Sequence, residues 1–190
     1  MLKEKRHRIW LVVVIVVAAV LLDQVSKGLV HHFLPVGGSV EILPFFYICH
    51  VLNDGMAFGF EWFDKLFLTL FRMVAVALLI WYLHRLLHPA KDSAPVRKGY
   101  IVTIALITAG AIGNIIDCVY YGKLFGYAGW FYGKVIDMLY FPLIRNSAGE
   151  CLFFQPVFNI ADSCITVAVL VILFFYRKDL DASLKTKKEG

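Results

Sequence analysis

Four stretches of this chain, about residues 9–30, 66–86, 99–119 and 158–176, run almost without interruption through apolar residues. As helices rising about 1.5 Å per residue, stretches of this length cross a hydrocarbon layer roughly 30 Å thick. Within lipid every backbone polar group must be satisfied internally, and for a single such run only a helix does that. The fold class that follows is an all-α membrane protein of four transmembrane helices. Composition agrees, with 60% hydrophobic and 17% charged residues, against roughly 45–50% and about 25% in soluble domains. The first run follows Lys3, Lys5, Arg6 and Arg8 like a secretory signal, but no small-x-small site succeeds it, so it reads as an uncleaved helix.

The segments between the runs differ in kind. Residues 34–59 open on Pro35, Gly37 and Gly38, continue through an Ile-, Val-, Phe- and Tyr-rich run, and end in Asn53-Asp54-Gly55. That pattern predicts a small extramembrane β-cradle, with Pro44 marking an edge or a bulge. Residues 120–156 are rich in aromatics and Gly, and Phe125–Tyr140 reads as an interfacial segment with Trp130 at headgroup depth. Residues 1–178 form one membrane-embedded domain on this reading, and a charged tail, disordered from about Arg177, closes the chain. Most of the Lys and Arg lie at the N-terminus, in the 84–98 loop and in the tail, which puts both termini in the cytoplasm. The net charge of +5 is therefore orienting charge, and no basic-aromatic interleaving suggests nucleic acid. Cys49, Cys118, Cys151 and Cys164 form no CxxC pair, so neither a zinc knuckle nor a redox motif is signalled.

Orientation decides where the polar residues fall. Asp23, Asn53, Asn114, Asp117, Asp137, Asn159 and Asp162 then all fall at the outer membrane face or just beyond it. An acid there is costly and reads as functional by default. Asn159 and Asp162 are spaced to share a helix face, as are Gly110, Asn114 and Asp117. There is no HExxH, GxSxG or GxGD motif, and His31, His32 and His50 lack metal-ligand spacing on a helix, so no metal or organic cofactor is expected. Two carboxylates sharing one site do not both ionise readily; one can take a proton from water while the other polarises a carbonyl.

Five motifs occur in order: Asp23-Gln24-Val25-Ser26-Lys27, Asn53-Asp54-Gly55-Met56-Ala57-Phe58-Gly59, Gly113-Asn114-Ile115-Ile116-Asp117, Val135-Ile136-Asp137 and Phe158-Asn159-Ile160-Ala161-Asp162-Ser163. Together they resemble the bacterial lipoprotein signal peptidase family. The resemblance implies an aspartic endopeptidase of the inner membrane, its active site at the outer face. Such an enzyme removes signal peptides from diacylglyceryl-modified prolipoproteins by cutting before the lipidated cysteine. It further implies Asp137 and Asp162 as the catalytic pair, with Asp23, Lys27, Asn53, Gly55, Asn114, Asp117 and Asn159 binding or supporting around them. The partners implied are the prolipoproteins and membrane lipids, with the enzyme a monomer. Two departures stand out. The family commonly carries Arg where this chain has Cys118, leaving Arg72 or Arg145 to supply the guanidinium. The connection between Asp137 and Asp162 is long, and Arg145–Cys151 reads as an exposed insertion.

Plainer roles compete for several of these residues. Asp162 could cap the fourth helix, Asp23 could rest among headgroups, and Lys27 and Arg72 could snorkel to the interface. A proton-coupled carrier or a non-catalytic lipid-binding protein would also place acids in a membrane. The carrier predicts mid-membrane acids and an internal repeat, neither of which the sequence contains.

Overall fold

A computed structural model describes residues 2–55, 64–89, 96–145, 151–153 and 155–184. Four helices are long and apolar enough to cross a membrane, spanning Glu4–Phe33, Lys65–Leu87, Lys98–Leu124 and Ile160–Leu184. The first is α1 (Leu2–Phe33) and the second α2 (Lys65–Leu87). The third is α3 (Lys98–Ile116), prolonged by a π turn at Asp117–Tyr121 and by α4 (Gly122–Leu124). The fourth is α5 (Ile160–Val171), prolonged by a π turn at Ile172–Tyr176 and by α6 (Arg177–Leu184). The chain is thus a multi-pass membrane protein.

Helix α3 is the axis of the bundle. Its apolar window is 56% buried, against 11% for α1 and for α2, and α1, α2 and α5 all pack on it. The outer helices keep Val14, Leu22, Phe71, Leu78 and Phe174 exposed, as lipid-facing side chains must be. Close approach of α3 and α5 depends on a missing side chain. A Cβ at Gly110 would stand 2.4 Å from the backbone oxygen of Ala161 and 2.8 Å from Ile165. We expect Gly110→Ala to cost about 1–3 kcal/mol through overpacking, seen as a lower melting temperature in detergent.

The extramembrane β element is larger than residues 34–59. Strands β1 (Ser39–Leu43) and β2 (Phe46–Asn53) form a hairpin with Pro44 in its turn and an irregularity between Glu41 and Leu43. Strand β3 (Val135–Tyr140) adds to β2, and β6 (Val157–Phe158) adds to β3, giving the antiparallel order β1-β2-β3-β6. Part of the segment expected to lie along the interface is therefore the third strand of the sheet. Its Val-Ile-Asp-Met-Leu-Tyr sequence suits a strand with two covered faces: Ile136 and Met138 are buried in an apolar cluster with Val30 and Tyr121. Between β3 and β6 a second hairpin pairs β4 (Ile144–Arg145) with β5 (Cys151–Phe153) at the expected insertion; residues 146–150 lie outside the described residues.

Two further boundaries differ from expectation. The fourth helix begins at Ile160, because Val157 and Phe158 pair with Tyr140 and Leu139. The tail stays helical to Leu184 because Asp179 is held: it accepts from the backbone N of Arg97 at 2.8 Å and from its side-chain Nη2 at 2.7 Å. Tyr82 adds a hydroxyl contact to Ser183 at 2.6 Å. Cys49, Cys118 and Cys164 are free thiols.

Candidate active site

The sheet packs at the end of the bundle where α1 and α3 finish and α2 and α5 begin. Pairing β2 with β3 sets Val51 opposite Asp137 and Asn53 opposite Val135, so Asn53 and Asp137 are diagonal neighbours on one face. With Ile136 and Met138 pointing the other way into the apolar cluster, the pleat turns Asp137 towards α5. Its carboxyl is only 2% exposed. Oδ2 accepts from Nδ2 of Asn53 at 2.8 Å, and Oδ1 accepts from Nδ2 of Asn159 at 2.7 Å. Asn53 is oriented by its own turn, its Oδ1 taking the Gly55 N–H at 2.7 Å.

Asn159 stands between β6 and α5 and caps the helix. Its Oδ1 accepts from the backbone N of Asp162 at 2.9 Å, so Asn159 takes the capping role and leaves the Asp162 carboxylate for another use. That carboxylate is half-buried, and its Oδ1 accepts from Nδ2 of Asn114 at 2.7 Å. Oδ1 of Asn114 accepts in turn from Nζ of Lys27 at 3.0 Å and from Nδ2 of Asn159 at 3.1 Å. Two donors on its oxygen fix which way the Asn114 amide points, and its NH₂ can only face Asp162. Asp137 and Asp162 are thus joined through two carboxamides.

Behind them lies a buried ionic knot. Lys27 is fully buried and pairs with Asp23 at 2.8 Å and Asp117 at 2.7 Å. It does not snorkel. Asp23, only 1% exposed, is equally far from a headgroup role: its Oδ1 accepts from the backbone N of Ala161 at 2.9 Å, in the first turn of α5. Asp117 accepts from the backbone N of Ile136 at 3.3 Å, tying α3 to β3. Gln24, quoted in a motif but not singled out, is part of the knot. Its Nε2 reaches Asp117 at 2.9 Å, Asp23 at 3.1 Å and the Gly113 carbonyl at 3.1 Å. One helical turn before Gly28, Gln24 looks like an ordinary interfacial amide in sequence, and only the facing acids give it a purpose.

Asp23, Lys27, Asn53, Asn114, Asp117, Asp137, Asn159 and Asp162 are thus linked at this one end of the molecule. Gly55 holds its turn with φ +73° and donates to Oδ1 of Asn53. Arg72, expected to snorkel, instead turns inward: its Nη1 lies 3.0 Å from Sγ of Cys118, the position where the resemblance expects Arg. The side chain of Arg145 lies outside the described residues.

Burial pushes the Asp137 carboxyl up to about 6, and the negative charge of Asp162 adds to it, against the hydrogen bonds from Asn53 and Asn159. Among the described residues no group of three or more His, Cys, Asp or Glu is arranged to hold a metal ion. What the arrangement offers chemically is a pair of unequal carboxyl groups on a polar, hydrogen-bonded floor.

Comparison with known proteins bears on what that floor is for. The family model for signal peptidase II matches residues 15–177. The chain belongs to the signal peptidase II family. A lipoprotein signal peptidase of Porphyromonas gingivalis is 37% identical over 93% of this chain and 87% of its own length. One from Amoebophilus asiaticus is 34% identical over 91% of this chain and 80% of its own. A bacterial membrane enzyme solved by the in meso method superposes with a TM-score of 0.65 at 29% identity, covering 96% of this chain and 95% of the other. As a signal peptidase II, the chain is a peptidase. All five sequence motifs fall inside the matched region.

Proposed function

We propose that this protein is an aspartyl endopeptidase of the bacterial inner membrane that removes signal peptides from diacylglyceryl-modified prolipoproteins. Asp137 and Asp162 act together on one water, the active site lies at the outer face, both termini are cytoplasmic, and the enzyme works as a monomer among membrane lipids. The observation that carries this reading is the hydrogen-bonded chain Asp137–Asn159–Asn114–Asp162, which holds two unlike carboxyl groups beside each other.

The chemistry follows from their difference. The pair holds one proton, and burial favours it on Asp137. Asp162 takes a proton from water as its oxygen attacks the scissile carbonyl, and Asp137 gives its proton to the carbonyl oxygen. The resulting gem-diol collapses as Asp162 passes its proton to the leaving amide nitrogen and the gem-diol returns one to Asp137. The C–N bond breaks, and both acids end as they began. No covalent intermediate forms.

The test is cleavage of a diacylglyceryl-modified precursor by purified protein in detergent containing ¹⁸O water. One labelled oxygen should enter the new carboxyl group of the released signal peptide, and a precursor lacking the lipid should stay uncut. A protein that leaves the lipidated precursor intact overturns the reading.

The pH profile gives a second check. Asp137 must be protonated, and its pKa is raised to about 6, so the proton is lost as pH rises through that value. We expect kcat to fall as pH rises through about 6.

A further inference from the structure

Arg72 lies about two turns inside the start of α2, where an arginine faces the bundle or a wet cavity rather than lipid. It is half-buried, and among the described residues the only acceptor it meets is the sulfur of Cys118. A thiol accepts weakly, and a guanidinium carries five N–H donors. Its cationic neighbours are better provided for: Lys65 and Lys134 both reach Asp54, the latter at 3.0 Å from Nζ.

The position of the open donors matters. A Cβ at Gly55 would stand 2.1 Å from Nη2, 2.9 Å from Cζ and 3.0 Å from Nη1 of Arg72. The fork therefore lies against Gly55, Nη2 nearest, in the space a side chain at that position would enter. Gly55 donates to Asn53, and Asn53 donates to Asp137. A charged, planar donor with N–H groups unspent among the described residues thus lies against the turn that carries a hydrogen-bond partner of Asp137.

We propose that Arg72 is a substrate-binding residue that donates its guanidinium to backbone carbonyl oxygens of the precursor peptide close to the scissile bond. The proposal rests on the peptidase reading above. An extended peptide entering between the Asn53–Gly55 turn and the end of α3 presents acceptors that the thiol of Cys118 does not satisfy. Cys118 serves as a small, fully buried wall that leaves room for the fork.

Steady-state cleavage of the diacylglyceryl precursor in neutral detergent tests this. Arg72→Gln should raise KM roughly ten- to a hundredfold, the size of a lost charged hydrogen bond, with kcat and melting temperature nearly unchanged. Arg72→Lys should fall between. The paired change Arg72→Ala with Cys118→Arg returns a guanidinium to the same space and should recover most of the loss in KM. An unchanged KM in Arg72→Gln overturns the proposal. So does recovery of melting temperature without KM in the paired variant, which would make Arg72 a prop for the turn. A KM defect seen only in vesicles of anionic lipid assigns the fork to lipid phosphate and likewise overturns it. If wild type leaves the precursor uncut, the peptidase reading itself fails; if wild type cuts and Arg72→Gln keeps its KM, only this inference fails.

Discussion

Asp137→Asn and Asp162→Asn should each lower kcat by roughly a hundred- to ten-thousandfold while the precursor still binds. The two are unequal as probes. Asp162 accepts on Oδ1 from Asn114, and the oxygen of an asparagine can accept the same bond, so Asp162→Asn should fold with its neighbours undisturbed. Asp137 accepts on both oxygens, from Asn53 and from Asn159. An asparagine there sets an NH₂ against one of those donors, so a carboxamide must turn over or move away. Asp137→Asn should accordingly lose some stability as well as activity. Residues that act as one unit are not additive. The double variant should be no slower than the slower single one, measured by single-turnover cleavage with saturating enzyme. A further hundredfold loss in the double variant would mean that the two acids act independently and that the shared-water mechanism is wrong.

The four helices were legible because lipid imposes one strong rule, and the runs at 9–30, 66–86, 99–119 and 158–176 obey it. The polar residues at their ends were legible for the same reason, since acids such as Asp117 and Asp162 are conspicuous within apolar sequence. The sheet was legible only in half. Residues 39–53 are rich in Ile, Val, Phe and Tyr and end in a turn signal, but β3 is a short, largely apolar run, and such a run beside Trp130 and Tyr132 resembles an interfacial segment equally well. Its partner β2 lies far away in the chain, and nothing local announces that pairing. The same blindness explains Gln24 and Arg72. Each has a meaning only through what faces it: the two acids for Gln24, and Gly55 with Cys118 for Arg72. Lys27 was ambiguous because a lysine near a helix end can bury its stem and still reach water. Whether it does depends on whether carboxylates wait inside. Here two do.

Those two carboxylates make Lys27→Met the variant with the largest expected effect on stability. Asp23 and Asp117 are 1% and 0% exposed, and Lys27 is the only cation paired with either among the described residues. Methionine fills the space of the stem but leaves two negative charges facing each other away from water. Breaking a buried ion pair from one side costs about 3–5 kcal/mol, a large fraction of the roughly 5–15 kcal/mol that holds a typical fold together. The damage should be local first. Asp23 holds the first turn of α5 through Ala161, and Asp117 holds β3 through Ile136, so both elements that carry the acids of the site lose an anchor together. Lys27→Met also removes one of the two donors that orient Asn114 towards Asp162. Combining Lys27→Met with Asp117→Asn removes one of the stranded charges, and the loss should then be much less than the sum of the single losses. Thermal unfolding of the four proteins in detergent gives the coupling energy directly. A coupling near zero would show that Lys27 and Asp117 act on the stability of the bundle separately. A coupling of several kcal/mol would identify the knot as a unit that sets the sheet and α5 in register, and through them the distance between Asp137 and Asp162.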